Sequence, residues 1–388
     1  MTATAAEVRP LLVSSSYAPH LGGVEEVVRQ LAHGLATDAG SQVVVTNRWP
    51  KNLPGEEAEG AVTIIRRRFR TPDGGSRQLA AWSLGAPITK RAIRRHARKR
   101  SCNVVNVHCV SSNVEYVLDV SEALHLPIVV SLHGELTADA TGAYERPRLR
   151  ALWADLIDRA AAITAPSEYV LRRAEEAYGQ KLGMRATVIR NGVDRPQLPD
   201  PAPMRSGVLA AGRFVGVKGF DLLLHAWATL GRAVTRDERL VIAGEGPEFQ
   251  ALKDLSVRLG VDSSVEFPGR LDRTEMQQRM GCSRAVVIPS REEALGLVAL
   301  EAMALETPVV ATAVGGLPEI VVDGRTGILV PPENPAALGD AIREVLGGGR
   351  DLAALAERGR ELTTDLSWPN YVRRMRSCMS GVVMSSRW

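Results

Sequence analysis

Aromatic residues make up only 4% of this 388-residue chain, and it has four cysteines, all scattered. Cys102, Cys109, Cys282 and Cys378 lack the paired spacing of a zinc site or a redox CxxC motif. A metal ribbon and a disulfide scaffold are thereby excluded, and a reduced, cytoplasmic protein is the expectation. No apolar run reaches the roughly 18 residues that a membrane-spanning helix needs. The opening MTATAAEVRP contains an acid and no apolar core, so it does not read as a secretion signal. Net charge is +4, but the basic stretches are not interleaved with aromatic stacking residues, so no nucleic-acid partner is expected. Lysine is scarce beside arginine, which points to a GC-rich genome and says nothing of function. Neither a Walker GxxxxGK[ST] loop nor a D-x-D metal motif is in place.

What is present is a soluble-type composition, 45% hydrophobic and 24% charged, in a chain too long for one ordinary core. Short apolar strands alternate with helical spacing throughout, the pattern of parallel α/β sheets. In the first half, strands are expected at Val8–Ser16, Ser41–Thr46, Ala61–Arg66, Val104–His108, Ile128–Leu132, Ala162–Ala165 and Ala186–Ile189. Trp49–Gly60 and Thr71–Arg77 read as loops from their Pro, Gly and Asp content. Arg195–Arg205 holds four prolines and no periodicity, so it is the linker. The second half restarts with strands at Gly207–Ala211, Leu240–Ala243, Val265–Phe267, Ala285–Pro289, Pro308–Thr312 and Thr326–Val330. Two facing doubly wound, Rossmann-like domains with a crevice between them are predicted. Their bounds are 1–195 with the closing helix 367–388, and 196–366.

Candidate site residues cluster where a strand runs into a helix. The helix Leu297–Leu305 is apolar on nearly every side, which predicts burial, and it contains Glu301. A buried carboxylate requires a partner. Eight residues earlier Glu293 lies in the preceding loop, and Gly296 at the start of the helix would let a ligand approach the backbone. Ligands of open α/β sheets bind outside the carboxyl ends of the strands, so the pair suits a site; a structural salt bridge is the other reading. Arg213 and Lys218 flank a glycine-containing strand-to-helix loop and suit a diphosphate. Gly22-Gly23 follows the first strand, either as a phosphate loop or as a plain tight turn. His133 follows a middle strand, either facing a ligand or bonded to a neighbouring loop. Lys90–Arg100 (KRAIRRHARKR) reads as a solvated helix face, with docking to an anionic membrane as the second reading.

In order, the chain carries Gly22-Gly23, His133, NGVD at the joint, GRFVGVKG, AGEGPE, FPGRL, EALGLVALE, GGLPEIV and DGRTGILVPP. Together these resemble the retaining family 4 glycosyltransferases of GT-B architecture across nearly the whole chain. The resemblance implies a nucleotide-sugar donor held mainly by the second domain and an acceptor on the first. It implies Arg213 and Lys218 on the diphosphate and Glu301 on the ribose hydroxyls. Glu293 would hold sugar hydroxyls, with backbone N–H groups of Leu295, Gly296 and Leu297 on the sugar and phosphate. His133 would meet the donor sugar, Gly22 and Gly23 would approach the diphosphate, and Arg270 would lie near the base. Leu295 departs from the aromatic residue usual there; the change keeps an apolar wall, so it puts only the fit of the sugar in question. No cofactor or metal is expected. The expected donor is a UDP-sugar, glucose or N-acetylglucosamine. The expected acceptor is small and hydroxylated, a cyclitol or aminocyclitol in natural-product assembly. A lipid acceptor with weak membrane contact through Lys90–Arg100, and a sugar-nucleotide epimerase, are the alternatives.

Overall fold

A computed structural model describes residues 7–20, 22–72, 75–135, 146–198, 204–348 and 351–386. The chain divides into two compact units, Met1–Gly192 with Trp368–Trp388, and Val193–Ser367. Part of the proline-rich linker, residues 199–203, lies outside the described residues.

The first unit is built on strands β1 (Pro10–Ser14), β2 (Gln42–Asn47), β3 (Glu56–Glu59), β4 (Val62–Arg67), β5 (Val104–His108), β6 (Ile128–Ser131), β7 (Ala160–Ala165) and β8 (Ala186–Val188). Their order in the sheet is β3-β4-β2-β1-β5-β6-β7-β8. All neighbours are parallel except β3 and β4. Helices α1 (Gly23–Ala39), α2 (Ser76–Lys99), α3 (Val114–Leu124), α4 (Pro147–Arg159) and α5 (Glu168–Tyr178) connect them. The inner strands are continuous apolar runs because helices cover a parallel sheet on both faces; Val104, Val105 and Val107, for example, are fully buried. Ser167 caps α5 by accepting the amide of Val170, as its position before the helix predicts.

The second unit has strands β9 (Val208–Ala211), β10 (Leu240–Ala243), β11 (Val265–Gly269), β12 (Ala285–Ile288), β13 (Val309–Thr312) and β14 (Ile328–Val330), all parallel, in the order β11-β10-β9-β12-β13-β14. Its helices are α6 (Phe220–Ala228), α7 (Arg232–Thr235), α8 (Phe249–Arg258), α9 (Arg273–Gly281), α10 (Leu297–Ala304), α11 (Pro335–Gly347) and α12 (Leu352–Leu362). The closing helix α13 (Trp368–Ser385) packs on α1, β5 and β7 of the first unit, burying Tyr371, Val372, Met375 and Met379.

Two expectations are corrected here. The segment Trp49–Gly60 is not all loop: Glu56–Glu59 pairs with β4 as an antiparallel edge strand. The segment Thr71–Arg77 is not all loop either: Ser76 and Arg77 open helix α2, which contains Pro87 and runs on through the basic stretch.

The strand order fixes where a ligand belongs. In the second unit the chain moves outward from β9 in both directions, through β10 on one side and β12 on the other. Such a reversal leaves a crevice at the carboxyl ends of the two central strands. The loops leaving β9 and β12 therefore face each other across it, and they are the loops that hold Lys218 and Glu293.

Candidate active site

The loop after β9 runs from Gly212 to Gly219 and closes with a single 3-10 turn, Gly216–Lys218. Phe214 anchors it: the ring is fully buried against Phe220, Phe249 and Phe267. Gly219, at φ +67°, sits so close to β12 that an added Cβ would lie 2.0 Å from the Pro289 carbonyl oxygen. No side chain fits there, so the loop after β9 rests directly on the strand end that leads to Glu293.

Arg291 fastens the two loops together. Its backbone amide donates to Val217 O at 2.8 Å, and its guanidinium donates to Gly216 O at 2.7 Å. The same side chain makes a bidentate pair with Asp221, both contacts 2.8 Å, and reaches Glu333 at 2.7 Å. The hydrogen bonds from Arg291 hold the Asp221 carboxyl below its usual range. Two parallel N–H···O bonds fix an orientation that a single point charge would not.

With the loops locked, Lys218 Nζ comes 2.5 Å from Glu293 Oε2, and Ser290 Oγ donates to the same oxygen at 3.2 Å. Thr312, at the end of β13, donates its hydroxyl to Ser290 O at 2.5 Å. Gly316 donates its amide to Glu293 O at 2.9 Å. Lys218, Ser290, Glu293, Gly296 and Val298 line a notch of about 20 Å³, room for one water molecule. Gly296, at φ +103°, caps α10, and an added Cβ would meet Leu317 Cδ2 at 2.6 Å. The first N–H groups of α10 have no partner inside the helix and carry its positive dipole end.

The predicted residues are thus partly brought together. Lys218, Glu293 and Gly296 share one notch. Arg213 is exposed in the same loop as Lys218. Arg270 follows β11 and lies 3.5 Å from Glu245. The expectation that Glu301 is buried is wrong: it is exposed, on the side of α10 that also carries the half-buried Leu297 and Val298. Spacings of three and four residues put the three on one face, so the carboxylate belongs to the open surface of the helix. Leu295 differs in the opposite sense. Its side chain is buried in the core with Leu317 and Ile320, so it forms no exposed wall and only its backbone remains available to a ligand.

In the first unit, Gly22 is the N-cap of α1 and Gly23 its first residue, both exposed. The first turn also carries Glu25 and Glu26; Glu26 is occupied by Arg29 and Gln30. His133 follows β6 and is half-buried. Its Nε2 lies 3.0 Å from Nδ1 of the fully buried His108, whose Nε2 lies 2.7 Å from Asn106 Oδ1. Burial lowers both imidazoles, His133 to about 4. Sequence reasoning did not single out His108, Asn106, Arg291, Asp221 or Ser290. The recurrence of polar residues at alternate positions of β5, Asn106 and His108, in an otherwise apolar strand, was a usable signal.

The basic helix is less free than its sequence suggests. Lys90 pairs with Glu115 at 2.9 Å, and Arg94 forms a bidentate pair with Asp119 at 2.5 and 2.7 Å. Arg91, Arg95 and Arg98 stay exposed, on one stripe with Leu84 and Ile88, which are 75% and 72% exposed. Among the described residues no helix is long and apolar enough to cross a membrane.

A lysine, a neighbouring arginine and a helix N-terminus together favour a dianionic group, and an adjacent carboxylate accepts hydrogen bonds from hydroxyls. That combination can hold a sugar diphosphate and stabilise charge on it. Residues 201–362 match the model of glycosyl transferases group 1, and residues 21–197 that of glycosyltransferase family 4. The glycogen synthase of Mycobacterium tuberculosis is 31% identical over 93% of this chain and 92% of its own. The D-inositol 3-phosphate glycosyltransferase of Frankia alni is 40% identical over 42% of this chain and 44% of its own. The Anabaena protein HepE in complex with UDP-glucose superposes with a TM-score of 0.74 at 18% identity, covering 96% of this chain and 99% of that one. Two parallel α/β units of this topology are the GT-B fold, and the chain belongs to the family 4 glycosyltransferases.

Proposed function

We propose that the protein is a retaining glycosyltransferase that moves glucose or N-acetylglucosamine from a UDP-sugar to a hydroxyl of a small acceptor, a cyclitol or aminocyclitol. The observation that carries this reading is the Lys218–Glu293 pair, held at the N-terminus of α10 by the Arg291 clamp. Lys218 and Arg213 bind the diphosphate, Glu293 and the amides of Leu295, Gly296 and Leu297 hold the sugar and its phosphate, and Glu301 takes the ribose hydroxyls. As the bond from the anomeric carbon to the phosphate oxygen breaks, its electron pair moves onto the diphosphate. Fixed cations and amide dipoles stabilise that charge. The acceptor hydroxyl attacks from the face that the leaving group vacates and passes its proton to a phosphate oxygen. Cationic side chains take the place of a metal ion in this scheme, and no cofactor enters it.

Support for the uridine donor and the cyclitol acceptor comes from HepE and the Frankia enzyme. The test is a thermal-shift screen over UDP, GDP, ADP and dTDP, because a ligand that binds the folded state raises stability by RT ln(1 + [L]/Kd). Transfer from UDP-glucose to inositols in EDTA, with the product anomer read by NMR, completes it. Stabilisation by GDP alone, an inverted anomer, or a loss of transfer in EDTA that Mn²⁺ restores would each overturn the corresponding part. Incubation without acceptor separates transfer from epimerisation.

One observation favours a second reading. The exposed stripe of Leu84, Ile88, Arg91, Arg95 and Arg98 on α2 suits an anionic membrane surface, and with it a lipid acceptor.

A further inference from the structure

The hydrogen-bond chain behind His133 fixes which of its nitrogens carries the proton. Asn106 and His108 are alternate residues of β5 and share one face of the sheet. Asn106 Nδ2 lies 3.1 Å from Val129 O and 2.9 Å from Ser131 Oγ on the neighbouring strand β6. A backbone carbonyl only accepts, so the amide nitrogen must face Val129 and the amide oxygen must face the other way. That oxygen sits 2.7 Å from His108 Nε2, which must therefore hold a proton. His108 is buried with no carboxylate bonded to it among the described residues, so it is neutral and its Nδ1 is bare. The bare Nδ1 faces His133 Nε2 at 3.0 Å, so that nitrogen in turn donates. The carboxylate of Glu135, two residues on, is already taken up by the amides of Val110 and His133. It does not reach the imidazole as a counter-ion.

We infer that Asn106 and His108 are positioning residues that hold His133 as the neutral Nε2–H tautomer, leaving Nδ1 as a hydrogen-bond acceptor for a hydroxyl of the donor sugar. The last step rests on the resemblance, which implies that His133 meets the donor sugar; the tautomer does not. The consequence is specific. His133 supplies no positive charge to a diphosphate and does not repel positive charge developing on a sugar ring. It recognises a group that donates, so a deoxy sugar loses this contact.

The experiment is a long-range ¹H–¹⁵N correlation on protein labelled at its seven histidines, with His133→Gln used for assignment. At pH 7, both His108 and His133 are expected to show a protonated Nε2 and a bare Nδ1. A protonated Nδ1 on His133, or a doubly protonated ring, overturns the inference and needs no variant to fold. In His108→Phe and Asn106→Leu, His133 is expected to show a mixture of tautomers, and the KM for the donor is expected to rise about three- to tenfold, the scale of one neutral hydrogen bond. Asn106→Gln variants that restore an acceptor to His108 should restore the tautomer. A single unchanged tautomer at His133 in folded His108→Phe overturns the relay. Titration with UDP-glucose against UDP alone separates the two layers: the Nδ1 resonance should move with the sugar nucleotide only. If the tautomer is as stated but Nδ1 does not move, the contact with the sugar is wrong and the relay stands.

Discussion

Lys218 Nζ lies 2.5 Å from Glu293 Oε2, so the cation assigned to the diphosphate is already neutralised by the carboxylate assigned to the sugar. The pair is partly exposed, which keeps its own strength modest. A nucleoside diphosphate has to draw the ammonium away from Glu293, or share it. Changing Lys218 or Arg213 to Ala should lower turnover about 10²–10³-fold, the scale for losing one electrostatic donor. Glu293→Gln should act differently: free UDP should bind about two- to fivefold more tightly because the lysine is released, while turnover falls. Isothermal titration with UDP beside steady-state kinetics separates the two. Equal losses of UDP affinity in Lys218→Ala and Glu293→Gln would contradict the assignment.

Arg291 should matter although it is placed to touch only protein. It ties Gly216, Asp221 and Glu333 into one clamp. Arg291→Ala should destabilise by about 1–2 kcal/mol, discounted for its partial exposure, and should lower kcat/KM about 10–100-fold by loosening Lys218 and Glu293. Arg291→Lys should recover little, because an ammonium cannot make the forked pair. Asp221 provides a pH check. Its folded pKa is depressed by Arg291, so its contribution is fully present above the usual carboxylate range, about 3.8–4. It is lost as pH falls through the lower folded value. The stability gap between the parent protein and Asp221→Asn should therefore close below about pH 3.8, as read from urea midpoints.

Much of this was legible from sequence, and the failures have physical causes. The inner strands were readable because parallel strands buried on both faces are continuous apolar runs; Val104–His108 and Leu240–Ala243 fall at their predicted bounds. Glu56–Glu59 was not, because an antiparallel edge strand of sequence EEAE is held by backbone pairing and has no apolar pattern. A helix that is apolar all round predicts a buried Glu301. The apolar residues on its side, Leu297 and Val298, are in fact half-exposed on the open face. The Arg291 clamp was invisible because its partners lie 70 and 42 residues away in sequence. Long-range polar pairing leaves no local period to detect.

The two imidazoles give the fold an acid limit. His108 and His133 are both lowered, His133 to about 4, chiefly by burial. The unfolded chain binds those protons near pH 6.5. A base whose folded pKa is depressed stabilises the fold above the unfolded value and loses that contribution as pH falls toward the folded one. Stability should therefore decline between about pH 6.5 and 4, and His133→Gln should decline less over the same window. By pH 5 the two proteins should differ from their pH 7.5 relationship by up to about 2 kcal/mol. Parallel pH profiles would mean that His133 is solvated and titrates normally.

The stripe on α2 separates the two acceptor readings. Leu84 and Ile88 are exposed beside Arg91, Arg95 and Arg98, whereas Arg94 is taken up by Asp119. Under the lipid reading, the protein should co-sediment with phosphatidylserine-containing vesicles. Neutralising Arg91, Arg95 and Arg98 to Gln should weaken binding by about 1 kcal/mol each at low salt, and Leu84→Ser with Ile88→Ser should weaken it independently of salt. Arg94→Gln should change little beyond stability. Under the small-acceptor reading no vesicle binding is seen in physiological salt, and transfer to soluble cyclitols proceeds at the same rate in all these variants.

Glu301 is the sharpest test because its exposure separates fold from function. Substitutions at exposed positions usually change stability by no more than about 0.5 kcal/mol, so Glu301→Gln should leave Tm almost unchanged. If the carboxylate accepts the two ribose hydroxyls, Gln offers one acceptor oxygen and a misplaced donor in its place. Affinity for UDP should then fall by about 1.5–3 kcal/mol, roughly 10–100-fold. The matched ligand is the 2′,3′-dideoxy form of UDP, which lacks both hydroxyls. It should bind the parent protein and Glu301→Gln almost equally, because each change alone already removes the same contact. Titration of both proteins with both ligands closes the cycle. A coupling energy near zero, with fully additive losses, would mean that Glu301 and the ribose never meet. The open face of α10, with Leu297 and Val298, would then need another occupant.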